Sequence, residues 1–169
     1  MKKLVKDLND FRESDYFSYE SKCRLWKNRH ISLIIDFGED ANKSRMLKKY
    51  KSKINKILNW IDSNKKTISD FLISHQCITL AEEWISKNNE EIEENCYKND
   101  IGDIINIPIT DEDFYNAMYL DSVLIDFEED ERKPDTTMHI LFEPDYFKNH
   151  SLIVYLDGDE NIEYGDIAG

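Results

Sequence analysis

A chain of 169 residues with 40% hydrophobic and 12% aromatic residues, five Gly and three Pro has globular composition, which excludes a disordered or low-complexity protein. Its net charge of -13 disfavours a nucleic-acid binder, because phosphate recognition rests on cations. The longest apolar runs, such as Leu152–Leu156, are strand-sized and exclude a spanning helix, and the opening MKKLVKDLND returns to charge too soon for a secretory signal.

A chain of this length buries roughly 70% of its unfolded surface and needs no disulfide or metal to fold. Cys23, Cys77 and Cys96 are odd in number and show no C-x-x-C spacing. They read as buried, reduced thiols of a cytoplasmic protein. The charge is unevenly distributed. Residues 1–66 hold 17 Lys/Arg against 9 Asp/Glu, and residues 67–169 hold 5 against 26. Such polarity points either to charged partners or to two halves that face each other in the fold.

In chain order, residues 15–26 and 30–37 read as two strands joined at Lys27-Asn28-Arg29. In the second strand Ile31, Leu33 and Ile35 share one face, with Ser32, Ile34 and Asp36 on the other. A helix over about 43–64 carries Leu47, Tyr50, Ile54, Ile57, Leu58 and Ile61 as its apolar stripe, with a lysine-rich opposite arc. A second helix over about 69–87, capped by Thr67 or Ser69, is apolar on more than half its circumference. That places it, with His75 and Trp84, in the core. Residues 88–103 are acidic and read as a loop or frayed helix end. Thr110 then caps a short helix whose first turn is Asp111-Glu112-Asp113, followed by strands at 122–128, 137–143, 152–156 and 162–164. The expectation is one α+β domain over 1–169, in which an antiparallel sheet of N-terminal and C-terminal strands carries two to three helices on one face. Residues 1–30 are the least defined part.

The search for chemistry returns little. His30, His75, His139 and His150 include no i, i+4 pair, and the Asp157-Gly158-Asp159-Glu160-Asn161 turn lacks the glycine of a calcium loop. No phosphate-cradling glycine motif and no nucleophile elbow is present, so no cofactor or metal is expected. The densest acidic run is Glu128, Glu129, Asp130 and Glu131. It reads either as a solvated loop or as a negative patch that steers a basic partner.

One set of residues resembles a known family. Ile109-Thr110, Phe114, Leu120-x-Ser122-Val123-x-Ile125, then Phe142, Phe147, His150, Leu152 and Val154, with Asp157-Gly158 and the closing Asp166-Ile167-Ala168-Gly169, are similar to small uncharacterised bacterial proteins of the DUF2262 family. The similarity covers about residues 45–169. It implies an α+β fold and a cytoplasmic binder of the immunity-protein kind, with a toxin as partner. It carries over no catalytic residues.

The resulting expectation is a non-enzymatic binding protein that takes a basic protein, such as a toxin or effector, on a C-terminal acidic face. That face comprises the run Glu128–Glu131 with Asp135, and the turn acids Asp157, Asp159 and Glu160. Tyr115, Tyr119 and Tyr146 are candidate aromatic anchors. The alternatives are a small enzyme with an unrecognised His/carboxylate site, and a nucleic-acid binder using Lys48, Lys49, Lys51, Lys53 and Lys56, which the overall charge disfavours.

Overall fold

Strand-period segments at both ends of the chain enclose a helical middle, and this order persists in three dimensions. The structure, a computed structural model, describes residues 12–13, 18–26, 29–38, 42–127 and 132–169. The elements are β1 (Arg12–Glu13), β2 (Ser18–Leu25), β3 (Arg29–Asp36), α1 (Lys43–Ser63), α2 (Lys65–Ser74) and α3 (Cys77–Asn88). Next come β4 (Glu90–Glu93), β5 (Cys96–Lys98), β6 (Ile104–Asn106) and α4 (Asp111–Ala117). The chain ends in β7 (Met118–Asp126), β8 (Asp135–Phe142), β9 (Ser151–Leu156) and β10 (Ile162–Ala168).

Seven strands form the main sheet, in the order β1-β2-β3-β7-β8-β9-β10. The expected α+β architecture is present, with N-terminal and C-terminal strands joined at β3–β7. That junction is parallel while the others are antiparallel. A crossover as long as α1 through α4 lets the chain return in the same direction, which a tight hairpin cannot do.

One face of this sheet is closed. Leu33, Ile35, Val123, Ile125, Met138 and Val154 are fully buried on it. They meet Leu47, Ile54, Leu58, Ile61, Ile68 and Leu72 from α1 and α2 in one hydrophobic core. Each such side chain contributes about 1.5–3 kcal/mol on leaving water. Polar bonds fix how the helices sit. Trp26 Nε1 donates to the Ile61 carbonyl at 2.8 Å, and Glu82 Oε1 accepts from the Ile109 N–H at 2.7 Å. Asn42 caps α1 by accepting from the Arg45 N–H. Thr110 caps α4, as the acidic helix start led us to expect, and with Asp113 it forms a reciprocal capping box.

Three local expectations change. The helix expected over 69–87 begins at Lys65 and breaks after Ser74, where Gln76 adopts a left-handed conformation at φ 61°. The break resets the helical phase, so Ile68 and Leu72 before it and Cys77, Ala81 and Ile85 after it all reach the core. His75, expected in the core, lies exposed at this break. Trp84 packs at the core rim, its ring centroid 5.9 Å from that of Phe147. The presumed loop 88–103 holds a hairpin, and with β6 it makes a second sheet in the order β4-β5-β6. Asn95, left-handed at φ 60°, turns this hairpin. Only Tyr97 and Ile105 of its strands are buried, and the glutamates of β4 hid the strand pattern.

Candidate functional site

The second face of the main sheet is only partly covered, and its side chains follow from strand register. Ile34, Leu124, Thr137, Tyr155 and Glu163 are successive partners across β3, β7, β8, β9 and β10. Two residues along each strand on the same face comes a row of aspartates. Asp36 pairs with Asp126, and Asp126 pairs with Asp135. Asp157 stands one step beyond the Thr136–Leu156 pair, level with Asp135. Like charges directly opposite one another oppose sheet formation. Their alignment across four neighbouring positions therefore gives this end of the face a concentrated negative field.

A groove of about 540 Å³ opens here, lined by the carboxylates Asp126, Asp135, Asp157 and Glu163. Leu124, Tyr155 and Ile162 give it an apolar part, and Tyr155 is 42% exposed. The volume is that of a site for a small molecule or a few side chains. Gly165 of β10 keeps the neighbouring floor low, because a Cβ there would sit 2.8 Å from the Tyr155 ring.

The rim is a rigid turn. Asp157 Oδ1 accepts from the backbone N–H groups of Asp159 and Asn161 at 2.8 and 2.9 Å, and its Oδ2 accepts from Asn161 Nδ2 at 2.8 Å. These bonds, led by the Asn161 side chain, hold the Asp157 carboxyl below its ordinary value of 3.8. Gly158 allows the 132–134 segment to lie against the turn, since a Cβ at that position would fall 2.7 Å from Lys133 Cα.

The structure thus brings together two of the acids expected at the site, Asp135 and Asp157. Asp159 and Glu160 are spent on ion pairs, with Lys133 at 2.7 Å and with Lys56 of α1 at 3.0 Å. Glu128, Glu129, Asp130 and Glu131 lie outside the described residues. Asp126 and Glu163 were missed because each is a single acid inside a strand. The available signal was parity: Ile34/Asp36, Leu124/Asp126, Asp135/Thr137 and Tyr155/Asp157 repeat the same two-residue offset.

Three lysines of α1 are engaged within their own chain. Lys56 pairs with Glu160, Lys53 donates to the Arg132 carbonyl, and Lys49 lies over the Tyr50 ring at 4.6 Å. The basic and acidic halves therefore do face each other here. Exposed pairs of this kind contribute about 0–1 kcal/mol each.

Elsewhere, His139 Nδ1 and Ser151 Oγ lie 3.0 Å apart on β8 and β9, and the Ser151 hydroxyl also reaches the Ala168 carbonyl at 3.3 Å. His150 is turned toward the Phe147 carbonyl and the Trp84 ring. Burial pushes the Cys23 thiol up to about 12 and the Cys77 thiol up to about 11. Among the described residues, no group of three or more His, Cys, Asp or Glu is placed to hold a metal ion, and no helix is long and apolar enough to cross a membrane. Of the candidate anchors, Tyr146 is buried, and Tyr115 and Tyr119 are half-buried.

No curated protein and no solved structure matches the chain. Residues 6–167 match the family described as an uncharacterized protein conserved in bacteria, DUF2262. The match extends the resemblance read from residues 45–169 almost to the N-terminus, and the chain belongs to the DUF2262 family.

Proposed function

We propose that the protein is a cytoplasmic, non-enzymatic binding module that captures a basic segment of another protein in the groove on the partly covered sheet face. The observation that carries this reading is the in-register aspartate row beside an exposed tyrosine. Carboxylates at one level supply a field that speeds encounter with a cation. Tyr155 offers a ring face on which a guanidinium can rest, and Leu124 and Ile162 accept the aliphatic stem. Neutralisation of a basic toxin, as by an immunity protein, is the specific form of this proposal, and it rests on the sequence resemblance.

Hydrogen exchange on the complex with a co-purifying basic partner tests the reading. Slowed exchange is expected in β8, β9 and the 157–163 turn. Slowing confined to the helical side would contradict it. For the toxin form, wild-type protein protects cells that express the partner, and the variant Asp126→Asn/Asp135→Asn protects them less. A small enzyme is the alternative, and the His139–Ser151 contact is its foothold. It predicts a turnover that Ser151→Ala abolishes while the aspartate variant leaves it intact.

A further inference from the structure

We propose that a second surface, at the end of the molecule where three depressions meet at Glu143, docks a protein segment with a bulky aliphatic anchor flanked by Lys or Arg. The depressions measure about 330, 230 and 150 Å³, and Glu143 lines all three. They are joined through shared walls. Asn116 and Ala117 border the first and third, and Tyr119 borders the second and third.

Two kinds of chemistry coincide here. Of the four large hydrophobic residues exposed among the described residues, Ile92, Ile101 and Ile104 lie on or beside the small sheet, at 44%, 70% and 49% exposure. Ile101 and Ile104 border the 230 and 330 Å³ depressions respectively. Exposed aliphatics beside preformed hollows are the anatomy of a protein interface, in which anchors fill pockets.

The charge on this surface selects the partner. Asp103, Asp113, Glu143 and Asp145 line the depressions, and the one cation among the lining residues is Lys65. Lys65 is 7% exposed, and its ammonium lies 4.5 Å from the centre of the Tyr115 ring and 5.6 Å from that of Trp26. Four acids against one cation leave this surface net negative. The Asp145 carboxylate accepts from the Phe147 and Asn149 N–H groups, and that of Asp113 from the Thr110 N–H and hydroxyl. These carboxylates are fixed in place before any partner arrives. A symmetric contact of this patch with its own copy would set like charges together, so a basic segment of a different protein is the occupant. None of these residues borders the groove of the proposed function, and either surface can be present without the other.

The test uses three short synthetic peptides, alternating Lys with Leu, Lys with Ser, and Glu with Leu, titrated into isotopically labelled protein. The Lys/Leu peptide is expected to shift amide resonances of residues 101–106 and 143–146. Ile101→Ser or Ile104→Ser, at exposed positions that leave folding intact, should weaken it about tenfold or more, a change of roughly 1.4 kcal/mol. The Lys/Ser peptide should bind at least as much more weakly, and the Glu/Leu peptide should not bind. Equal binding of the Lys/Ser peptide would overturn the proposal in favour of bare charge attraction. Shifts confined to 135–137 and 155–163 would assign the binding to the groove instead. Sedimentation showing self-association that Ile104→Ser abolishes would make this a contact between copies of the chain.

Discussion

The two faces of the main sheet are built from the same strands and differ in nearly every side chain. On the covered face of β7, Val123 and Ile125 are fully buried; on the other face of that strand Ser122, Leu124 and Asp126 are only partly so. The covered face is closed by the chain's own helices, and its residues are explained once packing is explained. The other face spends Leu124, Ile153 and Tyr155 on partial exposure and lines up Asp36, Asp126 and Asp135 against electrostatic preference. Apolar burial accounts for neither feature, although Asp36 also accepts from the Gly38 N–H. A face whose composition packing does not account for is where binding belongs.

Truncation should separate the faces most sharply. Ile125→Ala removes fully buried atoms and should cost about 2–5 kcal/mol, lowering Tm by about 4–20 °C. Ile153→Ala, half-buried on the groove side, should cost clearly less in the same thermal scan. Equal losses would erase the distinction between the faces. Gly158→Val comes next, because the close approach of Lys133 leaves no room for a side chain. It should destabilise by about 1–3 kcal/mol in denaturant titrations and weaken partner binding, since the groove rim must shift.

Smaller effects sharpen the electrostatic half of the comparison. The carboxyl of Asp157 is held low chiefly by the Asn161 side chain, so the turn gains stability from the charged form above the ordinary carboxylate value. That gain is lost as pH falls through the lowered native value. In an NMR titration Asp157 should protonate at a lower pH than an unperturbed aspartate, and Asn161→Ala should move it upward. On the covered side, the raised values of Cys23 and Cys77 leave almost no thiolate at neutral pH. A thiol reagent should modify half-buried Cys96 first, and Cys23 and Cys77 at a comparable rate only after unfolding.

Much of this fold could be read from residue spacing. The apolar stripe from Leu47 to Ile61 and the alternation of Ile31, Leu33 and Ile35 gave α1 and β3 to within a residue or two, and both ends of the chain were rightly assigned to one sheet. The break at Gln76 could not be read, because a left-handed glutamine has no local sequence mark and apolar residues continue on both sides. The small sheet escaped because its strands are polar outside and bury little. For the site, acid density directed attention to 128–131 and 157–160. Two of those turn acids are neutralised by Lys133 and Lys56, whereas the groove is lined partly by isolated strand residues such as Asp126 and Glu163. Density along the chain finds runs of acid. The row of aspartates exists only after strands pair, and no single segment displays it.

Association kinetics test the central claim most directly. The rate of association with the basic partner is measured against ionic strength for wild type and for Asp126→Asn/Asp135→Asn. Asp135 is exposed and Asp126 half-buried, and neutralising like charges aligned across neighbouring strands does not oppose their pairing, so the variant should fold. At low salt it should associate roughly 3–10-fold more slowly, with a shallower salt dependence, because the steering field is screened over about 8 Å at physiological ionic strength. Identical rates and identical salt slopes for the two proteins would contradict the assignment of the groove as the binding site.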